Sequence, residues 1–232
     1  MLFAILSLVF FILLVFLRIQ FPLYPLMSYQ DAFDLLTPLV LIPIYGILFR
    51  YSAREASGLA EGIAFLALAA CWVEGQGMHL SANSISNLME SLSRSGLIQL
   101  NGNGAFRLTH FYDELLGHCV WHIGVLGLAA LLIYREWRRP AGLVTAWRST
   151  TPAGLIYGFT LFAITNEGRT VWMGLPFSVA VTLFGLMWGR RKLGQRPVLA
   201  FFLVSCAVAS LLYLGWGLCW GGLPEFGEAG IL

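Results

Sequence analysis

Charge is what this chain has least of. Asp, Glu, Lys and Arg together make up 11% of its 232 residues, against 58% hydrophobic residues, and mean hydropathy is +0.77. That balance excludes an ordinary water-soluble domain. Lysine is almost missing: Lys192 is the only one, and it falls between apolar runs. A retinal-type photoreceptor, which needs a lysine inside a span, is thereby excluded. Cys71, Cys119, Cys206 and Cys219 lie in or beside apolar runs and lack CxxC spacing, so they read as small core hydrophobes. The net charge of +2 comes from basic residues that flank apolar runs, which gives no basis for a nucleic-acid partner. There is no internal repeat and no low-complexity tract. The opening run LFAILSLVFFILLVFL has no basic residue before it and no small-residue cleavage site after it, so it is expected to be a retained span and not a signal peptide.

What the chain does have is apolar runs long enough to cross a hydrocarbon core about 30 Å thick. They predict an all-α integral membrane bundle of seven spans, at about 2–18, 32–50, 58–75, 114–134, 152–166, 171–189 and 197–219. Pro38 and Pro43 are expected to kink the second span, and STTPAG (149–154) to start the fifth with Pro152 in its first turn. Arg50 and Arg54, then Arg135, Arg138, Arg139 and Arg148, then Arg190, Arg191, Lys192 and Arg196 fall on alternate connections. Only Arg18, Arg94, Arg107 and Arg169 fall on the others. By the positive-inside rule the N-terminus is cytoplasmic and the C-terminus extracytoplasmic, in a plasma membrane or the inner membrane of a bacterium. The one long connection, 76–112, is then an outer loop. It is expected to hold an amphipathic helix at 82–95 in the headgroup layer, followed by a small hairpin, LIQL-NGNG-AFRL.

Titratable chemistry concentrates at the mouth of span four, in HFYDELLGHCVWH (110–122). On a helix, Glu114, His118 and His122 form a stripe with Asp113 on its edge, and His110 joins only if the helix begins early. Two imidazoles at i and i+4 can hold one metal ion from a single face. His79, at the exit of span three, offers a third nitrogen and leaves a fourth position open for water, the arrangement of catalytic zinc sites. Glu74, Asp113 and Glu114 supply a base, orienting groups for the imidazole N–H, or further ligands. Zinc is the expected ion, with iron or copper as the alternative. A metal-free polar network or proton relay also explains costly ionisable groups at the apolar boundary. Asp113 and His110 can be plain capping residues, as can Asp31 and Asp34 at the start of span two. Arg169, in TNEGRT, is either a turn partner of Glu167 or a holder of a lipid phosphate or carboxylate. Trp172, Trp216 and Trp220 read as aromatic belt, and Gly217 with Gly221 as a helix-packing face.

An early histidine, an acid and HxxxH among seven spans resemble the CREST group, the seven-transmembrane zinc-dependent lipid hydrolases and receptors that include alkaline ceramidases and progestin/adipoQ receptors. The resemblance implies zinc on His79, His118 and His122 with Asp113 as the acid. The order differs, because the family's HxxxH lies on its last span and its serine falls where this chain has Gly75. The expected activity is a metal-dependent hydrolase cleaving a lipid ester or amide at the outer leaflet. A membrane di-iron or copper oxidoreductase, and a proton- or ion-coupled transporter or sensor, are the alternatives.

Overall fold

A computed structural model describes residues 1–16, 19–22, 24, 26–53 and 55–231, and among them no strand forms. The helices are α1 (Leu2–Phe16), α2 (Tyr29–Tyr51), α3 (Leu59–Arg94), α4 (Gly104–His110), α5 (His118–Arg138), α6 (Trp147–Glu167), α7 (Val171–Phe184) and α8 (Pro197–Trp220). A π-helical turn, Phe111–Gly117, fuses α4 to α5, and another, Gly185–Gly189, extends α7. The all-α architecture therefore consists of seven rods. Five of them are long and apolar enough to cross a membrane: α2, α3, the α4–α5 rod, extended α7 and α8.

Helix α2 starts from a reciprocal cap. The Ser28 hydroxyl accepts from Asp31 N at 3.1 Å, and the Asp31 carboxylate accepts from Ser28 N at 2.7 Å. Both prolines lie inside this helix. Four expectations need correction. The third span and the amphipathic helix at 82–95 are one continuous rod of 36 residues, about 54 Å long, so 82–95 is not a separate helix. The hairpin is also absent. Asn103 Oδ1 accepts from the N–H groups of Ala105 and Phe106 at 3.0 and 3.2 Å, and that cap turns the AFRL segment into α4. Helix α6 begins upstream of Pro152, because Thr150 N donates to Ala146 O at 2.9 Å and closes an earlier turn. Gly221 ends α8 in the left-handed region at φ +65 and has nothing within 4 Å of a would-be Cβ, so it stops the helix and packs against nothing.

The core runs between two close pairs, α3 with α5 and α6 with α8, around Tyr45, Trp72, Leu128, Leu161 and Phe202. Helices α3 and α5 meet almost backbone to backbone. A Cβ on Gly124 would sit 2.5 Å from Trp72 N, and one on Gly75 would overlap Trp121 N. This seam draws the outer parts of both rods together. Nine basic residues gather at one end of the bundle, where Arg135 bonds Ser52 and Arg196 bonds Glu136 O. Arg94, Arg107 and Arg169 belong to the opposite end. Arg18 and Arg54, and the expected end of the first span at 17–18, lie outside the described residues.

Candidate functional site

Along α3, Trp72, Gln76 and His79 share one face at spacings of four and three. That face meets α5 where Gly117 and Gly75 allow contact, with a Cβ on Gly117 falling 3.0 Å from His79 N. The rings of His79 and His118 have centroids 4.4 Å apart, and those of His118 and His122 lie 6.1 Å apart and nearly parallel at 10°. Two imidazoles on one tetrahedral ion have centroids roughly 5 Å apart, given nitrogen–zinc bonds of about 2 Å. Trp121 packs on all three rings, at 6.0, 6.0 and 4.9 Å.

The π-turn decides which acid joins them. In α-helical register Glu114 would share the stripe of His118 and Asp113 would stand aside. The wider turn shifts the phase and brings Asp113, 4% exposed, inward. The carboxylate of Asp113 accepts from His79 Nδ1 at 2.6 Å. Glu114 instead lies on the cavity wall nearer Arg169, 3.6 Å from it.

Each imidazole is held through Nδ1. His79 donates to Asp113, and His118 reaches the Glu114 carbonyl at 3.4 Å. His122 Nδ1 lies 2.6 Å from the Thr170 hydroxyl, which itself reaches Thr165 O at 3.3 Å and so accepts from the ring. With the tautomers assigned from these partners, every Nε2 carries a lone pair. His122 Nε2 is fully buried and has no hydrogen-bond partner among the described residues. His79 Nε2 faces the carboxylate of Asp34 at 4.0 Å. A neutral His79 thus turns a lone pair toward Asp34, whereas a protonated one is paired with both Asp34 and Asp113.

Asp34 is the site residue that sequence reasoning misses. It is 4% exposed, accepts from Gln76 Nε2 at 2.5 Å, and connects through Gln76 Oε1 to Trp72 Nε1 at 2.7 Å. Its position was a legible signal, since six residues past the Ser28 cap a carboxylate no longer serves the helix start. Asp34, His79, Asp113, Glu114, His118 and Trp121 help to wall a cavity of about 250 Å³, whose rim includes Glu167 and Glu225.

Other expected site residues stand elsewhere. Glu74 is exposed on α3, about 140° around the helix from His79, and so faces away from the cluster. His110 is exposed and stacks on Phe106. Arg169 pairs with Glu225, lies 3.4 Å from Glu228 and approaches Glu114, so three carboxylates surround its half-exposed guanidinium. Glu167 accepts from Phe226 N at 3.1 Å. Trp216 donates to Pro224 O at 2.9 Å, which fixes the C-terminal strap beside the site, whereas Trp172 and Trp220 are exposed. Among the described residues no three His, Cys, Asp or Glu donors already surround one point closely enough to hold an ion. Comparison with protein-family models, curated proteins and solved structures finds no match to this chain.

Proposed function

We propose that the protein is a membrane-embedded, metal-dependent hydrolase acting on an ester or amide bond of a lipid-like substrate. All seven rods would span the membrane. The basic end would face the cytoplasm and the histidine end the outer leaflet, as the asymmetry of nine basic residues against three favours. One observation carries the reading: three imidazoles anchored at Nδ1 lie ring beside ring, two of them on the wall of a polar cavity, and the buried Nε2 of the third, His122, has no hydrogen-bond partner among the described residues. An Nδ1 anchored to an oxygen acceptor is the support that metal-binding histidines characteristically have. Nitrogen donors with one carboxylate suit zinc, and iron or copper less specifically. The CREST resemblance points to the same three histidines.

The donors fit such an ion in kind: His79, His118 and His122 would hold it, with the fourth position left to water and Asp34 close by. When bound, it supplies Lewis acidity for a carbonyl oxygen and lets water act as a nucleophile near neutral pH. The chain supplies the rest. Asp113 fixes the tautomer and plane of His79, and Thr170 does the same for His122. Asp34 and Glu114, both on the cavity wall, are the carboxylates placed to take a proton from water and return it to a leaving group. Glu225, paired with Arg169, also lines the cavity.

A second reading has its own observation. Asp113, His79, Asp34 and Gln76 follow one another, joined by hydrogen bonds except for a 4.0 Å step between His79 and Asp34, and such a line could pass protons with no metal. Elemental analysis of protein purified without chelator separates the two. About one zinc per chain, lost when His118→Ala and His122→Ala are combined, supports the hydrolase. Absence of stoichiometric metal overturns it and leaves the proton site. A visible or paramagnetic signal would turn the assignment to iron or copper.

A further inference from the structure

The 250 Å³ polar cavity does not end at the histidines. It shares Phe11, Trp121 and Ile164 with a crevice of about 40 Å³ that runs deeper among Leu41, Trp72 and Val125. That crevice in turn shares one residue, Phe3, with a cavity of about 280 Å³ toward the basic end. Three cavities thus lie in sequence through the bundle, and Phe3 stands between the second and the third.

The crevice has hydroxyls on its wall but offers none of them. Ser7 donates to Phe3 O at 2.8 Å, Thr37 to Phe33 O at 2.8 Å and Thr160 to Ile156 O at 3.0 Å. The Tyr157 hydroxyl is bonded to that of Tyr45 at 3.0 Å. With these groups spent on their own helices and on each other, the crevice presents hydrocarbon, which suits neither water nor an ion. Its volume admits about three methylene-sized groups. Phe3 is 6% exposed and is seated against the rings of Tyr45 and Tyr157, at centroid distances of 4.8 and 5.0 Å.

We propose that the site binds an amphiphile with a single unbranched alkyl chain, whose polar end lies at the histidines, and that Phe3 is the floor limiting how long that chain can be. The proposal deepens the lipid-hydrolase reading and rests on it for the polar end alone. The head is neutral or cationic, because five carboxylates and no Lys or Arg wall the polar cavity. Removing the Phe3 ring joins the crevice to the 280 Å³ cavity beyond it.

The test is a competition. Full-length protein in nanodiscs is offered an equimolar series of 1-O-alkylglycerols from about 2 to about 14 carbons, which are neutral, single-chained and free of any bond to hydrolyse. Retained ligands are counted by mass spectrometry. Each methylene favours the bilayer about as well as the crevice, so the competition reads the length limit and not chain hydrophobicity. Wild type should retain one length range and discriminate at least about tenfold against chains four carbons longer, a gap of about 1.4 kcal/mol. Phe3→Ala should move the range at least four carbons longer, Phe3→Leu less far, and Phe3→Trp shorter. Ranges identical in all four proteins, or retention that mirrors the offered mixture, would overturn the proposal. The same series on metal-stripped protein should give the same range. A shifted range in protein that never held metal therefore keeps the chain site while discarding the hydrolase.

Discussion

The bundle buries charge at both ends, and the two ends treat it differently. At the basic end Arg135, 2% exposed, pairs with Glu61, reaches Ser52 Oγ and Glu55 O at 3.4 Å, and lies 4.1 Å over the Phe49 ring. Beside it Glu136 accepts from the first N–H groups of α8, Val198 at 3.0 Å and Leu199 at 2.7 Å, and so caps that helix. Arg196 closes the group by donating to the carbonyls of Glu136 and Trp137. Each of these three groups is met by an opposite charge or by backbone hydrogen bonds. At the histidine end His122 Nε2 is buried without a partner among the described residues, and the neighbouring His79 and His118 line a cavity. Burial of a titratable group therefore does not mark function by itself. Incomplete satisfaction next to a space does.

The most forceful way to break that comparison is to unpair the basic end. Glu61→Ala leaves the Arg135 guanidinium buried without its carboxylate, which should cost about 3–5 kcal/mol of stability. Unfolding in nanodiscs measures it, and metal content per folded chain should stay unchanged. A loss below about 1 kcal/mol would show that the clamp is dispensable, and the contrast between the ends would lose its structural half. Next comes the seam that both ends share. Gly124→Ala places a methyl against the backbone of Trp72 and should cost about 1–3 kcal/mol through overpacking. It should also loosen ion retention by displacing His79 from His118. Full stability with unchanged metal binding would show that the close approach does not position the site.

Much of this was legible in the sequence. The apolar runs mark the seven rods, because a buried or lipid-facing rod needs little else. His79, His118 and His122 stand out because ionisable groups near the apolar core are costly without a purpose. What was hidden has physical causes. The polar residues after 75 read as a loop, yet Gly75 packed on α5 lets α3 continue through them. AFRL reads as a strand until the Asn103 side chain is seen to cap it. The exchange of roles between Asp113 and Glu114 depends on a π-turn, which a 3.6-residue period does not reveal. Asp34 was masked by its neighbour Asp31, whose capping role made both acids look alike.

The histidine end can be sharpened with a smaller change. Asp113→Asn keeps the shape of the side chain but weakens its hold on His79 Nδ1. A substitution of this kind should lower metal affinity about 10- to 100-fold, or about 1.4–2.7 kcal/mol, while stability changes little. Titration of stripped protein with zinc against a competing chelator gives the ratio. An unaltered affinity would make Asp113 a cap and no more, and would move the weight of the site to Asp34.

The smallest effect is expected at Arg169, which looks like a hub of charge and should matter least to stability. Its side chain is 49% exposed and faces Glu225, Glu228 and Glu114, so solvent screens each pair. Arg169→Ala should cost less than about 1 kcal/mol. The backbone adds a second, opposing contribution. Arg169 adopts φ +52, the one positive φ at a non-glycine position among the described residues, and a side chain there costs about 1–2 kcal/mol relative to glycine. Arg169→Gly should therefore be more stable than Arg169→Ala by about 1 kcal/mol, despite losing the same ion pairs. If the two variants unfold together, the turn is not strained. If both lose several kcal/mol, the exposed pairs at this end hold the fold as firmly as the buried clamp at the other, and satisfaction next to a cavity would no longer tell the two ends apart.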